Sequence, residues 1–346
     1  MLVSACGAAP TPTAGHSSAT PPPAATSGAL SCSLPVAGFV ISAPKGQPDS
    51  SIAADGQDNQ KGTGGFLDVA SGKFTPAKDS DRTYLASAGR WLPVMRKAIS
   101  PDERSYVEGR LSGAPPTMTL FLVQVASRAS RPLFTSPPGQ MAFVLAFTPR
   151  GVYVDLLSAT GPGSSQLTLM DPGTGASHPV AGSETPAGVS YGVFTAISGD
   201  FAWGTRIGGT QVQPSYELVR LDLSDGTLVV WNHSAATPLF VIGLDAAGHP
   251  FVSGEGTLTG GLTSLSLLSA PDQSTRIPAN GGLFLQGRGS AVNDAHGTWF
   301  GSADGGIWLY SSSTGLNKVA TVPPQLGGTG QPYDQHAWRS VAGPCV

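Results

Sequence analysis

Charge is scarce in this sequence. Asp, Glu, Lys and Arg together make up 12% of it, about half the roughly 25% of an ordinary globular protein. The 19 Lys and Arg form no run and are outnumbered by 22 Asp and Glu, leaving a net charge of −3. Nucleic-acid binding needs a dense basic footprint, so that class is excluded. Cysteine is nearly missing, with three residues at positions 6, 32 and 345. There is no Cys-x-x-Cys and no paired His spacing of the kind zinc sites use. No run of about 18 apolar residues occurs, so nothing here crosses a bilayer as a helix. The phosphate-cradling Gly-x-x-x-x-Gly-Lys and the His-Glu-x-x-His pair are absent, and no Gly-x-Ser-x-Gly stands where a strand would turn into a helix. The expectation is therefore no cofactor and no bound metal.

What is present in excess is the chemistry of turns. The chain holds 46 Gly and 30 Pro, as many short strands joined by many turns would require. Hydrophobic residues still make up 40%, enough to bury a sizeable core. Low charge with abundant Gly, Ser and Thr suits an exported all-β protein better than a helical cytosolic enzyme.

Residues Val3-Ser4-Ala5-Cys6 resemble a bacterial lipobox, in which small residues precede a Cys that becomes lipidated. From Gly7 to Leu30 the chain is almost wholly Ala, Pro, Thr, Ser and Gly. Such a stretch cannot bury enough apolar surface to fold and acts as a semi-extended spacer. The resemblance implies a surface lipoprotein, anchored to the membrane only through a lipid on Cys6. Residues 1–31 are then tether and linker, and residues 32–346 the folded domain. With Cys6 set aside as the lipid site, Cys32 and Cys345 remain at the two ends of the folded region. They read as a disulfide clasp in an oxidising compartment, with two free thiols as the alternative.

One element recurs along the domain: an apolar strand, a polar or Gly turn, and a second strand. It occupies Ala98–Val107, Ala146–Val154, Ala196–Trp203, Gly243–Val252 and Val292–Phe300. Copies are spaced about 47–50 residues apart, the period of a four-stranded propeller blade. Between them lies an alternating strand ending in a tight turn, at Phe66–Lys73, Leu167–Gly175, Leu218–Thr227 and Ile307–Gly315. The two elements together supply four strands per unit. A two-layer sandwich is ill suited to so long a period.

The pattern resembles bacterial propellers of the TolB-like and YVTN-repeat type, where a Ser-Pro-Asp-Gly-like turn joins the first two strands of each blade. The expected fold is an all-β, six-bladed β-propeller, with seven blades left open by the ambiguous stretches 43–64 and 76–92. Units fall near 93–134, 141–180, 191–231, 238–277 and 288–321. The sixth would join 336–342 as first strand to 36–42 and 65–75, so that strands from both termini close the ring. In that register Cys345 ends one strand and Cys32 opens the next.

In such propellers, loops joining strands two to three, and each blade to the next, share one face around the channel, where function usually sits. On that face the register places Arg110, Glu184, Arg206, His233, Glu255, Arg288, Asp304, Asp334 and His336. Glu184 and Glu255 are candidate paired carboxylates. Trp91 and Trp338 lie near loops and could stack on a sugar or an apolar partner. The turn residues Asp102, Asp245 and Asp294 are expected to hold turn amides, with His249 and His296 on the opposite face. Trp203, Trp299 and Trp308 are expected to pack between blades. The expected function is a monomeric binding module for a protein, peptide or glycan at the cell surface. The alternatives are a metal-assisted lyase or hydrolase at the channel mouth, and a structural partner in an envelope complex.

Overall fold

The computed structural model describes residues 30–40, 63–113, 117–158, 165–184, 191–209, 214–234, 239–254, 264–278, 291–302, 305–323 and 337–346. Their regular structure is strand, with two single-turn 3-10 segments at Ala86–Ala88 and Arg96–Ala98. Cys6 and the spacer lie outside the described residues.

Each unit is an antiparallel meander in which neighbours in sequence are neighbours in the sheet. The 140–179 sheet holds Gln140–Thr148, Gly151–Ser158, Ser165–Met170 and Ser177–Pro179. The 191–234 sheet holds Tyr191–Ser198, Phe201–Gly209, Pro214–Asp222 and Leu228–Ser234. The 239–277 sheet holds Leu239–Leu244, Pro250–Gly254, Ser264–Ala270 and Gln273–Ile277. The 292–321 sheet holds Val292–Asp294, Gly297–Gly301, Gly306–Ser311 and Gly315–Thr321. A terminal sheet draws on both chain ends, in the order Ala337–Val341, Ser33–Val40, Thr63–Asp68, Phe74–Pro76. Repeated four-stranded meanders packed face to face are the architecture of a β-propeller, and this chain is one.

The remaining sheet departs from the expected pattern. Residues 105–135 give three strands, Ser105–Ser112, Thr117–Gln124 and Ser130–Thr135. A first strand is reduced to one bridge, Ile99 to Tyr106, because the 3-10 turn at Arg96–Ala98 occupies the residues before it. A single parallel pair, Thr117 with Gln140, joins this sheet to the 140–179 sheet. The ambiguous stretch before it holds a small hairpin, Thr83–Leu85 with Arg90–Leu92, and no four-stranded sheet.

The core lies between adjoining sheets. Leu145, Tyr153 and Leu167 of one sheet pack with Phe194, Val219 and Leu221 of the next. Trp203, Leu218 and Trp231 meet Leu239, Val241 and Val252 of the one after. Ile242, Phe251 and Leu265 then meet Phe300 and Trp308. Full burial of each such side chain contributes about 1.5–3 kcal/mol, so the sheets hold one another rather than a common centre. Trp203, Trp299 and Trp308 are all buried in strands. Trp203 and Trp308 take part in these inter-sheet clusters.

One turn recurs between third and fourth strands. Asp68, Asp171 and Asp222 each accept backbone N–H groups of their own turn through Oδ1. Four residues after each, Gly72, Gly175 and Gly226 adopt φ values of 69°, 78° and 77°, a left-handed conformation that glycine enters at no steric cost. Arg128 fills the same place at φ 59° after Gln124. The amide of the left-handed residue bonds the carbonyl four residues back in every case.

The ends are tied together several times over. Ala37 pairs with Ser340 in the ladder. Ser33 and Val346 exchange both backbone hydrogen bonds at 3.0 Å. Cys32 and Cys345 form a disulfide with Cα atoms 5.6 Å apart across a sequence separation of 313. Chain entropy assigns such a loop about 6 kcal/mol, and measured bridges typically contribute about 2–4 kcal/mol.

Candidate functional site

The turns between first and second strands, and between third and fourth, share one face. The opposite face carries the loops that the sequence singled out, and most of those loops lie outside the described residues. Glu255, Arg288, Asp304, Asp334 and His336 all lie outside the described residues. The described candidates on that side are Arg110, Glu184, Arg206, His233 and Trp91. Trp338 lies opposite Phe39 within the terminal sheet.

Two of these, Arg206 and His233, are joined through Glu217 in the 191–234 sheet. Arg206 on the second strand faces Glu217 on the third, and Glu217 faces His233 on the fourth. Residues directly opposite on antiparallel strands project from the same side of the sheet, so the three form one row. His233 Nδ1 lies 3.7 Å from Glu217 Oε1, with His233 largely exposed and Glu217 more covered. Arg206 is half-buried. Burial draws its guanidinium below the usual pKa, and the Glu217 carboxylate draws it partly back.

Arg206 also borders a recess between this sheet and the one before it. Ser183, Glu184, Phe194 and Thr205 line the recess with it, enclosing about 190 Å³ including the part open to solvent. A whole drug-sized ligand needs about 300–1,000 Å³, whereas only about 10 Å³ here admits the centre of a water-sized sphere, so the recess takes one water-sized polar group of a larger partner. Its floor is rigid. Thr205 Oγ1 donates to Leu239 O at 2.6 Å, which fixes the strand to the next sheet. Ser183 Oγ donates to Val180 O at 2.6 Å and accepts from Leu167 N at 3.2 Å. The mouth therefore offers a cation at Arg206, a carboxylate at Glu184 and, one step along the row, the Glu217–His233 pair.

Two other candidates are already occupied. Arg110 pairs with Glu108 at 3.2 Å and lies over the Phe121 ring of its own sheet, 4.4 Å from the centroid. Trp91 is clasped by Phe66 and Tyr84, with centroids 5.8 and 5.4 Å away. Its ring joins the small hairpin to the terminal sheet instead of standing open as a stacking platform.

The sequence reading missed three kinds of residue. Glu217 becomes a partner only through strand register. Asp155 is a buried carboxylate that accepts from Ser165 Oγ at 2.5 Å, just before the 159–164 loop. A lone acid in the apolar run Val152-Tyr153-Val154-Asp155-Leu156 was the signal available for it. Ser80, Ser136 and Ser183 are buried after the fourth strand of three sheets. Each accepts a backbone N–H from the third strand of its own sheet, at Gly64, Met118 and Leu167.

On the opposite face, Asp294 gathers a second cluster. Its Oδ2 accepts from Trp299 Nε1 at 2.7 Å and from the Cys345 amide at 3.0 Å. Its Oδ1 accepts from the His296 amide at 2.7 Å, and His296 Nδ1 lies 3.3 Å away.

No family model matches this sequence, and no curated protein matches it. Solved propellers resemble the chain path distantly. TolB from Acinetobacter baumannii is 12% identical with a TM-score of 0.41, covering 79% of this chain, which spans 62% of the TolB chain. An oligogalacturonate lyase from Vibrio parahaemolyticus is 13% identical with a TM-score of 0.44, covering 77% of this chain and 71% of its own. The propeller domain of the Trilobed protease from Pyrococcus furiosus is 9% identical with a TM-score of 0.46, covering 78% and 80%. Likeness at this level says nothing of ligand or chemistry.

Proposed function

We propose that this protein is a six-bladed propeller that acts as a binding module at the cell surface, exported and tethered through a lipid on Cys6. The blade count groups the four-stranded sheets with the three-stranded 105–135 sheet and its Ile99 bridge. The tether rests on the lipobox-like Val3–Cys6 and the spacer that follows.

One observation carries the binding reading. Arg206 is held half-buried at the edge of a recess beside Glu184, and the Glu217 carboxylate across the strand pair offsets the burial of its guanidinium only in part. A desolvated cation is costly unless a partner supplies charge or hydrogen bonds. A peptide or glycan that places a carboxylate oxygen or a hydroxyl in the recess would supply them, with bulkier contacts coming from the surrounding loops.

The test is a screen of the whole chain against peptide and glycan arrays, run in parallel with Arg206→Ala and Arg206→Lys. A ligand retained by the native chain should bind Arg206→Ala at least about 10-fold more weakly, or 1.4 kcal/mol. Arg206→Lys should lie between them, because a point charge replaces a planar fork. Equal retention by all three would move the site elsewhere. An empty array would remove the support for a peptide or glycan partner.

A further inference from the structure

The cluster on the turn face joins three distant parts of the chain. The ligand-capable atoms of Asp294, His296 and Cys345 lie within 4.8 Å of one another, and Cys32 is bonded to Cys345. In the disulfide, neither sulfur is a thiolate, so the group cannot hold a soft metal. Reduction changes that. It yields two thiolate donors beside an imidazole and a carboxylate, which is the donor chemistry of a tetrahedral zinc site.

Backbone hydrogen bonds hold the segments that carry these donors in addition to the sulfur–sulfur bond, Cys32 O accepting from Val69 N at 3.0 Å. The tail is held by the paired hydrogen bonds of Ser33 with Val346, by Ala342 N to Pro35 O at 2.8 Å, and by Tyr84 N to Ala342 O at 2.8 Å. Asp294 is oriented by Trp299 Nε1 and pins the Cys345 amide. Partners of this kind fix metal ligands in place from outside the coordination sphere. His296 stands partly open to solvent, so an ion has a route in.

We propose that Cys32, Cys345, His296 and Asp294 bind Zn²⁺ when the disulfide is reduced, so that the chain ends have two interchangeable clasps, one covalent and one metallic. A dithiol gives two electrons and two protons to Cys32–Cys345 and leaves as its own disulfide. Zn²⁺ then displaces the two thiol protons to solvent and takes the neutral His296 nitrogen and the Asp294 carboxylate as further ligands. Spacing along the sequence conceals the site, since Asp294 and His296 are two residues apart and the cysteines lie at opposite ends.

The experiment uses the full chain, reduced with a phosphine, which leaves as its oxide and takes the oxygen from water. Co²⁺ is the probe, followed by Zn²⁺ competition. The reduced chain should bind one Co²⁺, with thiolate-to-cobalt charge transfer in the near ultraviolet and strong tetrahedral d–d bands. Zn²⁺ should bleach both, and the oxidised chain should show neither. His296→Ala should weaken Zn²⁺ binding by about 100-fold, the upper end of what losing even a supporting partner costs. Asp294→Asn, which keeps acceptor capacity for Trp299 and Cys345, should weaken the d–d bands. Absence of the charge-transfer band overturns the proposal. So does binding unchanged in both variants, which would mean that the thiols act alone. Near-ultraviolet circular dichroism covers loss of fold: if reduction abolishes the native signal and Zn²⁺ does not restore it, the proposal also fails.

Discussion

Gly182 and Gly226 meet across adjoining sheets, so closely that a Cβ on Gly182 would stand 2.1 Å from the Gly226 carbonyl oxygen. The turn after the fourth strand of the 140–179 sheet thus seats on the third-to-fourth-strand turn of the next sheet, backbone against backbone. Both residues also sit at positive φ, 72° and 77°. Gly182→Ala is expected to destabilise by about 2 kcal/mol or more, combining a backbone clash with left-handed strain. Gly72→Ala has the strain without the clash, because nothing lies within 4 Å of its Cβ position, and should cost about 1 kcal/mol. Urea unfolding midpoints of the two variants separate the effects; equal losses would mean that the contact carries no energy.

Arg128 offers the opposite change. It is exposed and holds φ 59° in the place where Gly72, Gly175, Gly226 and Gly315 do the same job. Arg128→Gly should raise stability by about 1 kcal/mol, because glycine adopts that conformation without the Cβ penalty. A lowered unfolding midpoint would show that the side chain makes contacts worth more than the strain.

The turn carboxylates set an acid limit. Asp68 and Asp222 are drawn below 3.8 chiefly by the Ser71 and Ser224 hydroxyls, and Asp171 chiefly by the Thr174 and Gly173 amides. A folded-state pKa below the unfolded one contributes stability above the unfolded value, and that contribution is lost as pH falls through the folded one. Thermal unfolding should therefore be flat through neutral pH and fall below about pH 4. Asp171→Asn should shrink that fall, since the amide oxygen accepts the same backbone N–H groups without titrating. A variant as acid-sensitive as the native chain would place the effect elsewhere.

Removing the covalent clasp tests the ends. Cys32→Ser with Cys345→Ser should lower unfolding free energy by about 2–4 kcal/mol, with about 6 kcal/mol as the chain-entropy limit. Intact mass with alkylation before and after reduction should show both thiols protected in the native chain. Free alkylation of the folded protein would contradict the bridge.

Much of this architecture is legible because turns are chemically explicit. The repeat beginning at Ala146 marks the hairpin Thr148–Gly151, that at Gly243 the Asp245 turn, and that at Val292 the Asp294 turn. The apolar run Leu218-Val219-Arg220-Leu221 marks the strand, but alternation does not give its burial: Leu218 and Val219 are both buried, in different inter-sheet clusters. The small hairpin around Tyr84 and Trp91 was not legible, because it belongs to a connection and repeats nothing. The row Arg206–Glu217–His233 depends on cross-strand register, which a one-residue slip would abolish. Arg206 and His233 could be nominated from loop position alone, whereas Glu217, which joins them, could not. The buried serines escaped notice because serine is common in every loop here, and only burial separates Ser80, Ser136 and Ser183 from the rest.

The terminal sheet also fixes a sequence of events during synthesis. Strands Ser33–Val40 and Thr63–Asp68 are made before their partner Ala337–Val341, which emerges after the strands of every other described sheet. Until then, the edge formed by Ser33–Val40 presents unpaired backbone groups, the kind of edge that recruits foreign strands. The nascent chain therefore passes most of its elongation with an open seam, and a stall or nick anywhere before residue 337 leaves the molecule unsealed, however well its other sheets have formed.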